Sequence, residues 1–178
     1  MYSIIPHTEN TALRARSRPL STEEIGGAYV AGLIEEMKLL LAQEEYGVAL
    51  AAPQVGEAVQ LFIVSGKAVT KRRSRYKEEP SDEMPGEDQV YINPSIVKMS
   101  RARIDKHEGC LSVRGRWGLV PRAEKLTLRY TDIRGLAQER GASGFLAHIF
   151  QHEMDHLEGI LYIDKATELF DEKEENDE

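Results

Sequence analysis

Apolar residues recur at Ile25, Tyr29, Leu33, Met37 and Leu40, a spacing of three to four that predicts a helix with one buried face. Ser21-Thr22-Glu23-Glu24 just before it has the form of a capping box, with Ser21 as N-cap and Glu24 at the third helical position. Gly26 and Gly27 weaken the first turn, and the helix is predicted to end before Gly47. The pattern then shortens to strand-like runs at residues 59–64, 90–93, 96–99, 119–120 and 126–130, rich in Val, Ile, Leu and Tyr. Between the first two runs, residues 65–88 carry Lys71-Arg72-Arg73, mixed acids and prolines, and read as a solvated surface loop. Residues 143–157 form the second predicted helix, closed by Gly159. Phe145, Leu146, Ile149, Phe150, Met154 and Leu157 leave little of its circumference polar, so it is predicted to be buried and its polar residues to need partners. Residues 160–163 return to a strand pattern, and residues 168–178 are almost wholly acidic and read as frayed.

Composition narrows the classes without changing this picture. The 178 residues, 41% hydrophobic and 30% charged, suit one globular domain with a single core. A formal net charge of −7 gives no basic face for direct nucleic-acid binding. No apolar run approaches the roughly 20 residues of a membrane helix, and the first residues lack a secretory pattern. The expected location is cytoplasmic, with an organellar one left open. The single cysteine, Cys110, cannot form an intramolecular disulfide; it is either a small buried apolar residue or a thiolate with a chemical role.

The buried helix contains His152-Glu153-Met154-Asp155-His156, the HExxH pattern. Residues four apart share a helical face, so both imidazoles can reach one metal ion, while Glu153 stands beside the first ligand where it can handle a proton of water. With five histidines in the chain, a chance match is uncommon. Catalytic sites of this kind usually have three protein ligands and an open position. No histidine follows His156, and the downstream acids lack a helical pattern to present them. Upstream, Glu108-Gly109-Cys110-Leu111-Ser112 offers a thiolate that would complete the set. A third segment, Gly47-Val48-Ala49-Leu50-Ala51-Ala52-Pro53-Gln54, reads either as a tight helix-to-strand connection or as a backbone wall that a peptide can approach, with Gln54 supplying an amide.

Taken in order, residues 47–54, 108–112 and 151–156 resemble the three signature motifs of the peptide deformylase family, GxGxAAxQ, EGCLS and QHExDH. The likeness extends through Ile92-Asn93-Pro94, Val120-Pro121-Arg122 and Gly159-Ile160-Leu161-Tyr162, covering about residues 1–165. The resemblance implies an α+β fold in which antiparallel strands surround the buried HExxH helix, with an N-terminal helix beside them. It implies a catalytic domain over residues 1–165 and a tail over 166–178. Cys110, His152 and His156 would bind one divalent metal ion per chain, expected to be Fe2+, with Zn2+, Ni2+ or Co2+ able to substitute. Metal-activated water would attack the formyl carbon of an N-formylmethionyl peptide, with Glu153 as general base and then proton donor to the amine. Gln54 and the backbone N–H of Leu111 would face the developing oxyanion. Gly47, Val48, Ala49, Phe145 and Ile149 would contact substrate, the last two lying near the helical face of His152. Glu108 and Arg122 would pair to brace the Cys110 strand, and Asp155 would hold a ligand histidine or simply face outward. Newly made polypeptides as substrate imply transient proximity to the ribosome.

Two positions depart from the family pattern. Ala49 stands where the first motif has its second glycine, and Ser112 is followed by Val113-Arg114 without the proline common there. They motivate an alternative, a divergent relative with altered substrate or one that only binds modified N-termini. An HExxH metallopeptidase with a downstream acidic ligand is a further alternative.

Overall fold

The computed structural model describes residues 2–68 and 86–171. The predicted loop over 65–88 falls mostly at 69–85, outside the described residues. The helix expected after Ser21 is two helices, α1 (Thr22–Ile25) and α2 (Ala28–Gln43), parted at Gly26 and Gly27. The capping box at α1 is present, with the Glu24 N–H donating to Ser21 Oγ at 3.2 Å and the Ser21 N–H donating to the Glu24 carboxylate at 2.9 Å. The break rotates the buried stripe of α2 to Val30, Leu33, Ile34, Met37 and Leu41. Tyr29, expected inside, is 42% exposed, and its hydroxyl donates to Glu57 at 2.7 Å.

Strands β1 (Ala49–Ala51), β2 (Leu61–Val64), β3 (Gln89–Met99), β6 (Lys125–Thr131) and β7 (Ala137–Ser143) form one antiparallel sheet in the order β1-β2-β3-β6-β7. Strands β4 (Arg103–Cys110), β5 (Val113–Ala123) and β8 (Glu168–Asp171) form a second, in the order β4-β5-β8. Helix α3 (Phe145–Leu157) follows β7, and α4 (Tyr162–Lys165) follows α3. The first sheet is covered on both faces. Alternation along β2 sends Leu61 and Ile63 to the side of α2, packed with Leu33, Met37 and Ile92. Phe62 and Val64 go to the side of α3, packed with Tyr91, Leu128, Ile149 and Phe150. Here the Phe62 and Tyr91 rings stack at 4.8 Å, with Phe150 edge-on to Tyr91 at 4.9 Å. Burying each such ring contributes on the order of 2 kcal/mol, so α3 is held mainly by this cluster. A third cluster of Leu13, Val113, Val120, Leu161 and Tyr162 ties the second sheet to α4.

Three expectations are corrected. Residues 160–163 do not form a strand: Leu161 and Tyr162 are both buried, and a helical turn starts there, with the Leu161 N–H donating to the Asp164 carboxylate at 2.8 Å. Residues 168–171, read as a frayed tail, are strand β8, which pairs Trp117 with Phe170 and Leu119 with Glu168 and adds an Arg116–Asp171 ion pair at 2.6 Å. Residue 143 ends β7, and helix α3 begins two residues later. Gly159 does terminate that helix: its φ is 76°, and a Cβ there would sit 2.8 Å from the Arg14 carbonyl oxygen.

Candidate metal centre and active site

Helix α3 places the His152 and His156 rings one turn apart, with centroids 4.8 Å apart and planes at 83°. Cys110 is the last residue of β4, where a two-residue turn, Leu111-Ser112, leads into β5. That position brings Sγ to 3.4 Å from His156 Nε2. Ligand atoms of Cys110, His152 and His156 all lie within 4.8 Å of one another, the spacing that ligands of a single ion require. A thiolate and two imidazoles suit zinc and several other divalent metals.

The electrostatics around the cluster fit a cation. His156 is pushed well below the ordinary histidine range by burial, which keeps a neutral, ligating imidazole. Burial acts the same way on His152, but the neighbouring Cys110 thiol and Glu108 carboxylate outweigh it and raise this group well above its usual range. The surroundings thus draw positive charge to this spot.

Glu108 and Arg122 pair as expected, almost fully buried, through contacts of 2.7 Å and 2.9 Å from Arg122 Nε and Nη2. The second Glu108 oxygen is also 2.9 Å from His152 Nδ1, which leaves Nε2 of that ring for a metal. Desolvation alone would raise Glu108, yet Arg122 and His152 hold it at about 2. Asp155 does not hydrogen-bond either candidate ligand histidine among the described residues. Its oxygens accept from Arg122 Nη1 and Lys165 Nζ, each at 2.6 Å, so the guanidinium is anchored on both sides.

Glu153 meets the opposite environment. It is buried, its Oε2 has no hydrogen-bond partner among the described residues, and desolvation pushes it up to about 7, with Glu108 adding and His152 and Arg122 opposing. An unpartnered buried oxygen one residue from a candidate metal ligand is a place for a water or a reacting group. Gln54, on the 3-10 turn Ala52–Val55, has its amide orientation fixed. Oε1 accepts from the Ala51 N–H at 2.9 Å, which turns Nε2 towards Cys110 Sγ at 3.5 Å and Ser112 Oγ at 3.3 Å. Gln151, beside His152, uses its amide elsewhere: Oε1 accepts from the Ala123 N–H at 2.8 Å and Nε2 donates to the Ala123 carbonyl at 2.9 Å. This side chain therefore clips α3 to the end of β5.

A cavity of about 490 Å³ opens beside the cluster. Gly47, Val48, Ala49, Leu111, Phe145 and Ile149 all border it, together with Gln54 and Glu153. Ala49 lies in β1 paired with Val64, and its φ is not positive, so the methyl group there sits on ordinary extended backbone. Arg114, the other departure, also borders the cavity and is paired with Glu44 at 2.6 Å. Trp117 and His148 are among the bordering residues missed in the sequence. Trp117 lies over Gly109, where a Cβ would stand 3.0 Å from the indole. His148 is 7% exposed, and Nε2 lacks a hydrogen-bond partner, lying 3.4 Å from a Glu108 oxygen in electrostatic contact but without hydrogen-bond geometry. Burial lowers His148 to about 4, so the ring is neutral at pH 7. The signal for it was present, since His148, His152 and His156 repeat at intervals of four on one helical face.

The chain matches the model of the polypeptide deformylase family over residues 1–172. Among curated proteins it is 40% identical over 151 residues to peptide deformylase 2 of Nostoc sp., covering 85% of this chain and 79% of that protein. It is 39% identical over 139 residues to peptide deformylase of Dictyoglomus turgidum, covering 78% and 75% respectively. Among solved structures, the Met-Ala-Ser-bound class I type b peptide deformylase from Acinetobacter baumannii aligns with a TM-score of 0.77 at 30% identity, over 93% of this chain and 98% of that one. The Thermotoga maritima peptide deformylase aligns at 0.75 and 28% identity, over 94% and 99%.

Proposed function

The chain belongs to the polypeptide deformylase family, and from that premise we propose that it hydrolyses the N-formyl group from the N-terminal formyl-methionine of newly made polypeptides, at the Cys110–His152–His156 cluster. The observation that carries the reading is the convergence of these three ligand atoms within 4.8 Å next to an unpartnered Glu153 oxygen. We read the ion as Fe2+, with Zn2+, Ni2+ or Co2+ able to occupy the same ligands. When bound, such an ion supplies Lewis acidity and lowers the pKa of water.

The residues divide the remaining work. Glu153 accepts the proton of the attacking water and returns it to the departing amine; its dry surroundings place its affinity for a proton in the range such a shuttle needs. The Gln54 amide, turned by Ala51, and the Leu111 N–H donate to the carbonyl oxygen as it gains charge. Glu108, fixed by Arg122, orients His152. The substrate backbone runs past Gly47, Val48 and Ala49, and its first side chain enters the cavity bordered by Phe145 and Ile149. We place the catalytic unit's end beyond residue 165, because β8 pairs with the strand that follows Cys110 and Leu111. Its substrate implies a place near the ribosome in the cytoplasm or an organelle.

The test is formate release from a formyl-Met peptide by oxygen-free protein loaded with iron or nickel, beside Glu153→Ala and Cys110→Ala. Turnover lost in Glu153→Ala with metal kept, and metal lost in Cys110→Ala, is the expected result. Metal retained in Cys110→Ala with peptide-bond cleavage would favour a metallopeptidase. A fully loaded protein that binds the peptide and releases nothing would make it a binding protein.

A further inference from the structure

The cavity has a buried end, at Gln54, Glu153 and the candidate ligands, and an open mouth, where the bordering residues Tyr46, Trp117 and Phe145 are exposed. Among the described Asp, Glu, Lys and Arg residues on its border, Glu108 and Glu153 are buried, and only Arg114 and Arg116 stand at the mouth, with side chains 65% and 45% exposed. Each arginine has a carboxylate partner. Glu44 accepts from Arg114 Nη1 and Nη2 at 3.2 Å and 2.6 Å, and Asp171 accepts from Arg116 Nε at 2.6 Å. Neither Glu44 nor Asp171 borders the cavity, so the cation is the end of each pair that faces it. A guanidinium carries five N–H donors. Arg114 Nε and both Nη groups of Arg116 have no partner among the described residues. The mouth therefore offers two exposed cations with donors to spare.

We propose that Arg114 and Arg116 are specificity-determining residues that favour substrates with an acidic side chain at the second or third position. The inference rests on the deformylase reading, which puts the formyl group at the Cys110–His152–His156 cluster and the first side chain beside Phe145 and Ile149. It deepens that reading by naming the class of peptide preferred. An extended chain advances about 3.3 Å per residue, so the two residues after the first reach about 7 Å outward and pass the mouth. A carboxylate on either one takes the unused N–H donors in charge-assisted hydrogen bonds. The contact is open to solvent, so its effect is a graded preference among substrates and not an exclusion. Arg114 stands where proline commonly follows the second signature motif, and a proline has neither the charge nor a donor to give. The preference thus belongs to this chain's own departure from the pattern.

The experiment measures kcat/KM for formate release from formyl-Met-X-Y-Ser amides by the metal-loaded full chain. Glutamate, glutamine or lysine is placed at X or Y with alanine at the other, and the C-terminal amide removes the terminal carboxylate. Binding of the unformylated peptides is followed by calorimetry in parallel. At low salt, glutamate is expected to exceed glutamine by about two- to fivefold at one of the two positions, with lysine below glutamine. The ratio is expected to narrow towards one in high salt, and in the double variant Arg114→Gln, Arg116→Gln. Its salt dependence in the unsubstituted protein is independent of any variant's folding, and within the variant a ratio cancels a general loss of activity. A glutamate-to-glutamine ratio at or below one at both positions, or one that survives the double substitution, overturns the inference. Formate release with such a ratio keeps the proposed function and removes only the role of the two arginines. The expected ratio in calorimetry without formate release does the reverse.

Discussion

Two acidic side chains flank His152 in surroundings that could hardly differ more. On the side of β4 and β5, Glu108 is met by two guanidinium nitrogens and an imidazole, and Arg122 is in turn held by Asp155, which also accepts from Lys165. On the other side Glu153, next to His152 in sequence, has an oxygen with no partner. Both are buried, yet one is held at about 2 and the other pushed up to about 7. Burial alone therefore does not decide what a carboxyl group does; the number of donors that accompany it into the interior does. The saturated region sets geometry, and the unsaturated one retains the capacity to exchange a proton.

The sharpest way to break this contrast is through activity. Glu153→Gln keeps the shape and removes the base; formate release is expected to fall by about 10²–10⁴-fold with metal content unchanged by elemental analysis. Glu108→Gln should show itself mainly as a 10–100-fold weakening of metal affinity, on the order of a lost outer partner. Equal losses of turnover at equal metal content in both variants would show the two regions to be interchangeable. Next in size is stability. Arg122→Met leaves the buried Glu108 with His152 alone and Asp155 with Lys165 alone, which costs about 3 kcal/mol in urea unfolding. A loss below about 1 kcal/mol would mean the network is wetter than its burial implies.

Smaller again is a pH effect on the metal-free protein. Glu153 has a folded pKa of about 7, above its unfolded value, so it contributes stability that is fully present below the unfolded pKa and lost as pH rises through 7. Relative to Glu153→Gln, the parent should lose about 2–3 kcal/mol between pH 5 and pH 8. A flat difference would place the carboxyl in contact with water. The smallest effect is reserved for a surface pair: Arg129 and Glu139 meet at 2.7 Å with more than half of each side chain exposed. Arg129→Ala should change unfolding by no more than about 1 kcal/mol, and less in high salt.

The sequence revealed the site better than the fold around it. His152, Glu153 and His156 lie on one turn, so local spacing carries most of the geometry, and the Glu108–Arg122 pair was visible once Cys110 was placed beside them. Asp155 was misread because its partners, Arg122 and Lys165, come from other elements and no spacing announces them. Strand β4 was missed because residues 103–107 are exposed on both alternations, which leaves no apolar period to find. Strand β8 looked like an acidic tail, yet its Leu169 and Phe170 pair with residues about fifty positions earlier, a contact that local composition cannot register. His148 was hidden by the apolar residues around it, although its interval to His152 equals that between the two candidate ligands.

The clip between Gln151 and Ala123 also stands in for a missing strand pairing. Strand β8 pairs with β5 only from Arg116 to Leu119, and further along the backbone of Ala123, buried together with Val120 and Arg122, still needs partners on that edge. The Gln151 amide occupies both the N–H and the carbonyl of Ala123, as a neighbouring strand would, but it offers no backbone of its own to extend the sheet. A single side chain on the helix that carries the candidate site thus completes the sheet's hydrogen bonding, and replacing it with leucine should strand a buried N–H and a buried carbonyl and lower stability by about 1–3 kcal/mol in urea unfolding.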